Sequence, residues 1–169
     1  MTEFYIFRHG DTIESSKLSI RFLGHKGSSF DLPILPKGIP ALKRIGEYLK
    51  KVSTDINFCS PYIRCVNSAK IAGEAAGKKF QVDERIRELE KNGESFNSFR
   101  KRVADFLNEI NEHGYTAISI CTHGAVISAL KHLTRGDKFR FFQVMEYPAP
   151  GNLVIIKNGK VETKNFNRS

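Results

Sequence analysis

The chain has 169 residues, 40% of them apolar and 27% charged, with a formal net charge of +9. This is the profile of an ordinary soluble globular protein, with length for one domain over residues 1–169 and a substantial core. No apolar run approaches the ~20 residues of a membrane span. Met1-Thr2-Glu3 lacks the basic-then-apolar layout of a secretory signal, and Cys59, Cys65 and Cys121 have neither the even number nor the spacing of a disulfide framework or zinc site. A cytoplasmic protein with reduced thiols is expected. The positive charge is scattered, which favours anionic ligands in general without marking a nucleic-acid surface.

In chain order, Phe4–Phe7 is apolar at both alternate sets of positions, the pattern of a strand buried between two layers, and it runs directly into Arg8-His9-Gly10. Asp11–Leu35 has no sustained period and reads as a long irregular connection, with Thr12, Ser15, Arg21 and His25 in it. A helix over Ile39–Val52 follows, with Leu42, Ile45, Leu49 and Val52 on one side. Asp55–Ser60 is a short strand, and Ser60-Pro61 reads as an N-cap with proline at the first position of a helix running to Ala76. Phe80–Asp83 is strand-like, and Glu84–Glu94 is a charged connection. Ser95–His113 is a strongly amphipathic helix ended by Gly114. Thr116–Thr122 is another buried strand, ending in His123-Gly124, and a helix over Ala125–Thr134 follows. Phe139–Tyr147 and Asn152–Ile156 are strand-like, and Lys157-Asn158-Gly159-Lys160 is a type I′ hairpin signal leading to Val161–Lys164. Alternating strands and helices predict an α/β fold, a three-layer α/β/α sandwich on a mostly parallel sheet with a possible antiparallel edge.

Three strands thus end in polar groups: Arg8-His9-Gly10, Ser60 with Arg64 one helical turn on, and Thr122-His123-Gly124. Open α/β sheets bind ligands beyond the carboxyl ends of their strands, and helix N-termini there offer amide donors, that of Gly124 among them. If these strands are neighbours, two arginines and two histidines converge, a set that fits a phosphoryl group. The sequence has no P-loop glycine pattern and no clustered aspartates for magnesium, so neither a metal nor another cofactor is expected. An imidazole nitrogen could act as nucleophile while a carboxylic acid protonates the leaving oxygen.

These pieces resemble the histidine phosphatase superfamily, also called phosphoglycerate-mutase-like. The matching residues are Arg8-His9-Gly10-Asp11-Thr12, Ser60-Pro61-Tyr62-Ile63-Arg64 with Ser68-Ala69, Arg87-Glu88, Gly93-Glu94-Ser95 and Thr122-His123-Gly124, in family order along nearly the whole chain. The resemblance implies His9 as nucleophile, Arg8, Arg64 and His123 around the phosphate, and Glu88 as general acid/base, with Glu90 its rival. Two departures stand out. Ser15 occupies a place where many members carry asparagine, and only Leu89–Asn92 separate Glu88 from Gly93, where members usually carry a longer insertion that helps cover the substrate. The short spacing predicts an open, shallow pocket. It also favours a phosphatase over a mutase, which must hold its product for the return transfer.

The expected activity is therefore that of a metal-independent phosphomonoester phosphatase acting through phosphohistidine. Mutase-type transfer and a non-catalytic phosphate- or nucleic-acid-binding module on the same fold are the alternatives. The expected partner is a phosphorylated small molecule or a phosphoprotein, with no role for a membrane and none expected for nucleic acid. Neither the particular substrate nor the oligomeric state is legible.

Overall fold

The structure, a computed structural model, describes residues 1–12, 32–90 and 93–168. Most of the long connection, with Ser15, Arg21 and His25, lies outside the described residues. Its two ends meet, the amide of Leu35 donating to the carbonyl of Asp11 (2.6 Å).

Strands β1 (Glu3–Arg8), β2 (Ile56–Cys59), β3 (Gln81–Val82), β4 (Ala117–Thr122), β5 (Asn152–Lys157) and β6 (Lys160–Asn165) form one sheet in the order β3-β2-β4-β1-β5-β6. The first four strands in that order run parallel, and β5 and β6 add an antiparallel edge. Helices α1 (Ile39–Lys50), α2 (Ile63–Ala76), α3 (Phe96–His113) and α4 (Gly124–Leu133) cover it. Phe4 and Ile6 pack into a cluster with Val103, Phe106 and Ile110 of α3 and Val126 and Leu130 of α4. Tyr5 and Phe7 face the other way, toward Leu42, Ile45 and Leu49 of α1 and Ala69 and Ala72 of α2. The doubly apolar run of β1 is therefore the middle layer of the sandwich. In the β5–β6 turn, Asn158 (φ 51°) and Gly159 (φ 74°) both adopt the left-handed conformation that a type I′ turn requires. Among the described residues no helix is long and apolar enough to cross a membrane.

Two expectations are corrected. Phe139–Tyr147 forms no strand; Phe141–Gln143 is a single 3-10 turn and Phe141 and Phe142 are exposed. Period 2 is absent here because Phe139 alone is fully buried, meeting Phe96 and Phe99, while Val144 and Tyr147 pack only at the margin of that cluster. The edges of β5 are also already taken by β1 and β6, so a further strand has no place beside it. The second correction concerns α2, which begins at Ile63 rather than Pro61. Tyr62 stands at its N-cap position without a side-chain cap bond, and the Ser60 hydroxyl is engaged elsewhere.

Helices α1 and α2 touch at Gly46. A Cβ there would lie 2.6 Å from the Ala75 Cβ and collide with the Ala72 carbonyl. Gly46→Ala gains up to about 1 kcal/mol of helix propensity but overpacks this crossing, which costs about 1–3 kcal/mol. The expected net result is a lower urea midpoint at unchanged slope, and a raised midpoint would show that the two helices separate freely.

Candidate active site

The parallel pairings β1–β4 and β2–β4 bring the carboxyl ends of β1, β2 and β4 side by side, with Arg8 opposite Thr122 and Cys59 opposite Cys121. Arg8, His9, Ser60 and His123 consequently leave the sheet at one edge, and Arg64 joins them from the first turn of α2. The rings of His9 and His123 are 5.3 Å apart at 60°.

His9 is oriented by its own backbone neighbour. Its Nδ1 lies 2.8 Å from the Gly10 carbonyl, an acceptor only, so Nδ1 carries the proton and donates, leaving the lone pair on Nε2. The Gly10 amide in turn donates to Ser68 Oγ (2.9 Å), whose hydroxyl donates to the carbonyl of Arg64 (2.6 Å). This chain ties the strand end carrying His9 to the helix carrying Arg64.

His123 takes the opposite tautomer. Arg64 Nη2 can only donate, and it lies 3.2 Å from His123 Nδ1. The ring proton therefore sits on Nε2, which donates to Ser60 Oγ (2.6 Å). The Cys65 thiol lies against the same Nε2 (3.4 Å), and the Tyr62 ring packs on the imidazole with centroids 5.0 Å apart. Ser60 thus orients a histidine, a use that its place before a proline did not reveal.

The carboxyl groups of the charged connection are sorted by position. Glu88 Oε2 lies 3.5 Å from His123 Nδ1 and 3.9 Å from Arg64 Nη2. Glu90 accepts from the Tyr62 hydroxyl (2.7 Å), and Glu94 pairs with Arg102. Of these carboxyl groups only Glu88 reaches a site histidine, His123. Arg8 projects beside them with its guanidinium carbon 4.9 Å from the centre of the Tyr147 ring. Its buried Nε has no hydrogen-bond partner among the described residues. Gly124 is buried under the same Tyr147 ring, which a Cβ there would meet at 2.6 Å. His9 is 2% and His123 0% exposed, with Arg64 and Glu88 on the Nδ1 side of His123.

Burial and the guanidinium groups of Arg64 and Arg8 push the His9 pKa down to about 3, so the imidazole is neutral with its lone pair available. Burial, then His9 and Arg64, hold His123 well below the ordinary range in the same way. Burial raises the carboxyl pKa of Glu88, opposed by the Leu89 amide and by Arg64, which extends the range over which it keeps a proton. Among the described residues no group of His, Cys, Asp and Glu side chains is arranged to hold a metal ion. The arrangement is a neutral imidazole with a free Nε2 lone pair beside two arginines, with a carboxyl group of raised pKa against the second histidine.

The depressed histidine pKa values fix a pH dependence of stability. A group with a folded pKa below its unfolded value contributes stability above the unfolded pKa and loses it as pH falls toward the folded one. For His9 the window runs from about 6.5 down to about 3. The buried neutral His9 should therefore cost roughly 2 kcal/mol between pH 6.5 and 5, and His123 adds a loss of the same sign. Glu88, with a raised pKa, works in the opposite sense: its contribution is present at low pH and lost as pH rises. Urea unfolding at pH 6.5 and pH 5 should show the loss, and His9→Gln should reduce it. A flat profile would mean that these rings are not buried neutral.

Arg102 was not singled out by the sequence, since on α3 it reads as a solvated cation. In the structure its guanidinium holds Glu94 through Nε (2.6 Å) and Nη2 (2.7 Å). The only sequence signal is the matched Gly93-Glu94-Ser95, which places an acidic residue just ahead of the helix.

Comparisons with known proteins bear on the fold and the family. A Hydrogenobacter thermophilus protein, named as a candidate phosphoserine phosphatase, is 24% identical over 168 residues, covering 80% of each chain. The structure of the alpha-ribazole phosphatase from Shigella flexneri superposes with a TM-score of 0.75 at 18% identity, over 99% of this chain and 96% of that one. A phosphoglycerate mutase from Bacillus anthracis gives 0.66 at 17%, over 98% and 92%. At such identities the structures speak for the fold alone. The sequence itself matches the family model across residues 4–92 and 89–167, the span that carries both histidines, both arginines and Glu88, and the chain therefore belongs to branch 1 of the histidine phosphatase superfamily.

Proposed function

We propose that the protein is a phosphomonoester phosphatase that needs no metal and works through a phosphohistidine on His9. The observation that carries this reading is the pinned tautomer of His9: with Nδ1 donating to the Gly10 carbonyl, the Nε2 lone pair belongs to a neutral ring beside Arg8, Arg64 and His123. Nε2 would attack phosphorus while Arg8 and Arg64 stabilise the charge on the phosphoryl oxygens, with His123 and the Gly124 amide beside them. The carboxylic acid of Glu88 would give its proton to the leaving oxygen as that P–O bond breaks. As carboxylate, it would then take a proton from the water that attacks the phosphohistidine. The substrate would be a phosphorylated small molecule or a phosphoprotein. The Hydrogenobacter thermophilus relative, named as a candidate phosphoserine phosphatase, supports hydrolysis over mutase transfer.

The test is to trap the intermediate. Labelled p-nitrophenyl phosphate, mixed with the enzyme in the presence of chelator and quenched in alkali, should leave label on the protein that is lost on acidification, as a phosphohistidine requires. Turnover without any acid-labile label would overturn the mechanism, and loss of activity in chelator would overturn its independence of metal.

A further inference from the structure

We infer that Arg102 is a positioning residue that holds the Glu88 carboxyl group on its line of action, an inference that rests on Glu88 being the proton donor. Residues 84–86 form a single 3-10 turn, and the segment after it joins neither helix nor sheet, so its carbonyls need donors from elsewhere. Four consecutive carbonyls find them on side chains. Arg102 Nη1 donates to Arg85 O (2.7 Å) and Arg87 O (2.9 Å), and Nη2 donates to Glu88 O (2.8 Å). The Thr122 hydroxyl, at the end of β4, donates to Ile86 O (2.7 Å).

With the two bonds to Glu94, every N–H of the guanidinium is used: one on Nε, two on Nη1 and two on Nη2. Glu94 balances the charge, and the Phe99 ring lies flat enough for a cation–π contact at 4.8 Å. Both partners are largely withdrawn from water, with 11% of the Arg102 side chain and 7% of that of Glu94 accessible. A loop too short to pack on itself is thereby fastened to a long helix on one side and to the β4 strand end, next to His123, on the other. Lysine cannot replace this fork, having fewer donors and no planar geometry.

The experiment compares Arg102→Met, Arg102→Lys and Thr122→Val with Glu88→Gln, using p-nitrophenyl phosphate, which needs little acid help, and butyl phosphate, which needs it. A displacement of about 1 Å costs on the order of 100-fold when it misplaces a catalytic group. Arg102→Met should lose roughly 10- to 100-fold in kcat on butyl phosphate and under about threefold on the aryl ester, with KM little changed. Arg102→Lys should fall between it and the parent, and Thr122→Val should show a smaller loss of the same selectivity. Rates are taken per folded protein, and should Arg102→Met fail to fold, the other two variants carry the comparison. Equal losses on both esters, or none on either, would overturn the positioning role while Glu88→Gln keeps its ester preference. If Glu88→Gln itself shows no ester preference, the proton-donor reading fails and the inference falls with it.

Discussion

His9→Ala should lower kcat by about 10⁴-fold or more on every phosphomonoester, because the variant lacks the Nε2 lone pair on which the proposed intermediate forms. Arg8, Arg64 and His123, proposed to hold the phosphate, are unchanged in the variant, so inhibition of the parent by vanadate or inorganic phosphate and binding of the same anions to the variant should differ only a few-fold. The variant should also be less sensitive to acid, since a buried ring that resists protonation has been removed. Steady-state rates with and without chelator, alkaline-quench labelling and urea unfolding at two pH values read these three consequences separately. Residual turnover within 100-fold of the parent, or label still appearing on the protein, would mean that another nucleophile does the work.

Glu88→Gln should separate esters by their leaving groups. Loss of a general acid costs about 10²–10⁴-fold where the departing oxygen is basic and little where it is not. Alkyl phosphates should therefore lose on the order of 10²-fold or more, and p-nitrophenyl phosphate no more than a few-fold. The raised carboxyl pKa adds a signature in pH. The acid form is the working one, so kcat/KM for an alkyl ester should fall with rising pH along a limb centred above the ordinary carboxylate range. Glu88→Gln should abolish that limb, and the aryl ester should not show it. A rate loss of the same size on both esters would place Glu88 among the groups that merely complete the phosphate pocket.

Much of the fold is legible in the sequence because its signals are periodic and local. The doubly apolar Phe4–Phe7, the stripe through Phe99, Val103, Phe106 and Ile110, and the Asn158-Gly159 turn each lie where their patterns place them. Phe139–Tyr147 misleads for a physical reason. Aromatic residues favour strands only where a pleated, half-buried surface receives them, and here β5 already has both neighbours. In the site, the strand-end residues are legible because each follows a recognisable run. The carboxyl groups are not: Glu84, Glu88, Glu90 and Glu94 share one charged stretch, and only the paths of their side chains tell them apart, Glu90 to the Tyr62 hydroxyl, Glu94 to Arg102 and Glu88 to His123. Ser60 and Arg102 were hidden in the same way. Their partners lie far along the chain, so nothing near them in sequence announces the bond.

The central place of β1 has a consequence for how the chain comes to be folded at all. It is the earliest strand to be synthesised, yet its two neighbours are β4 and β5, which begin at Ala117 and Asn152. Until those segments emerge, a strand apolar on both faces has no sheet to enter, and both of its edges are open to pairing with another chain. Contacts of such long range close slowly, and partly folded chains of this kind are prone to aggregate. The strand that delivers His9 is thus a long-waiting guest of the ribosome-bound chain, and the yield of folded protein during synthesis should be governed by how well Phe4–Phe7 is shielded in the interval.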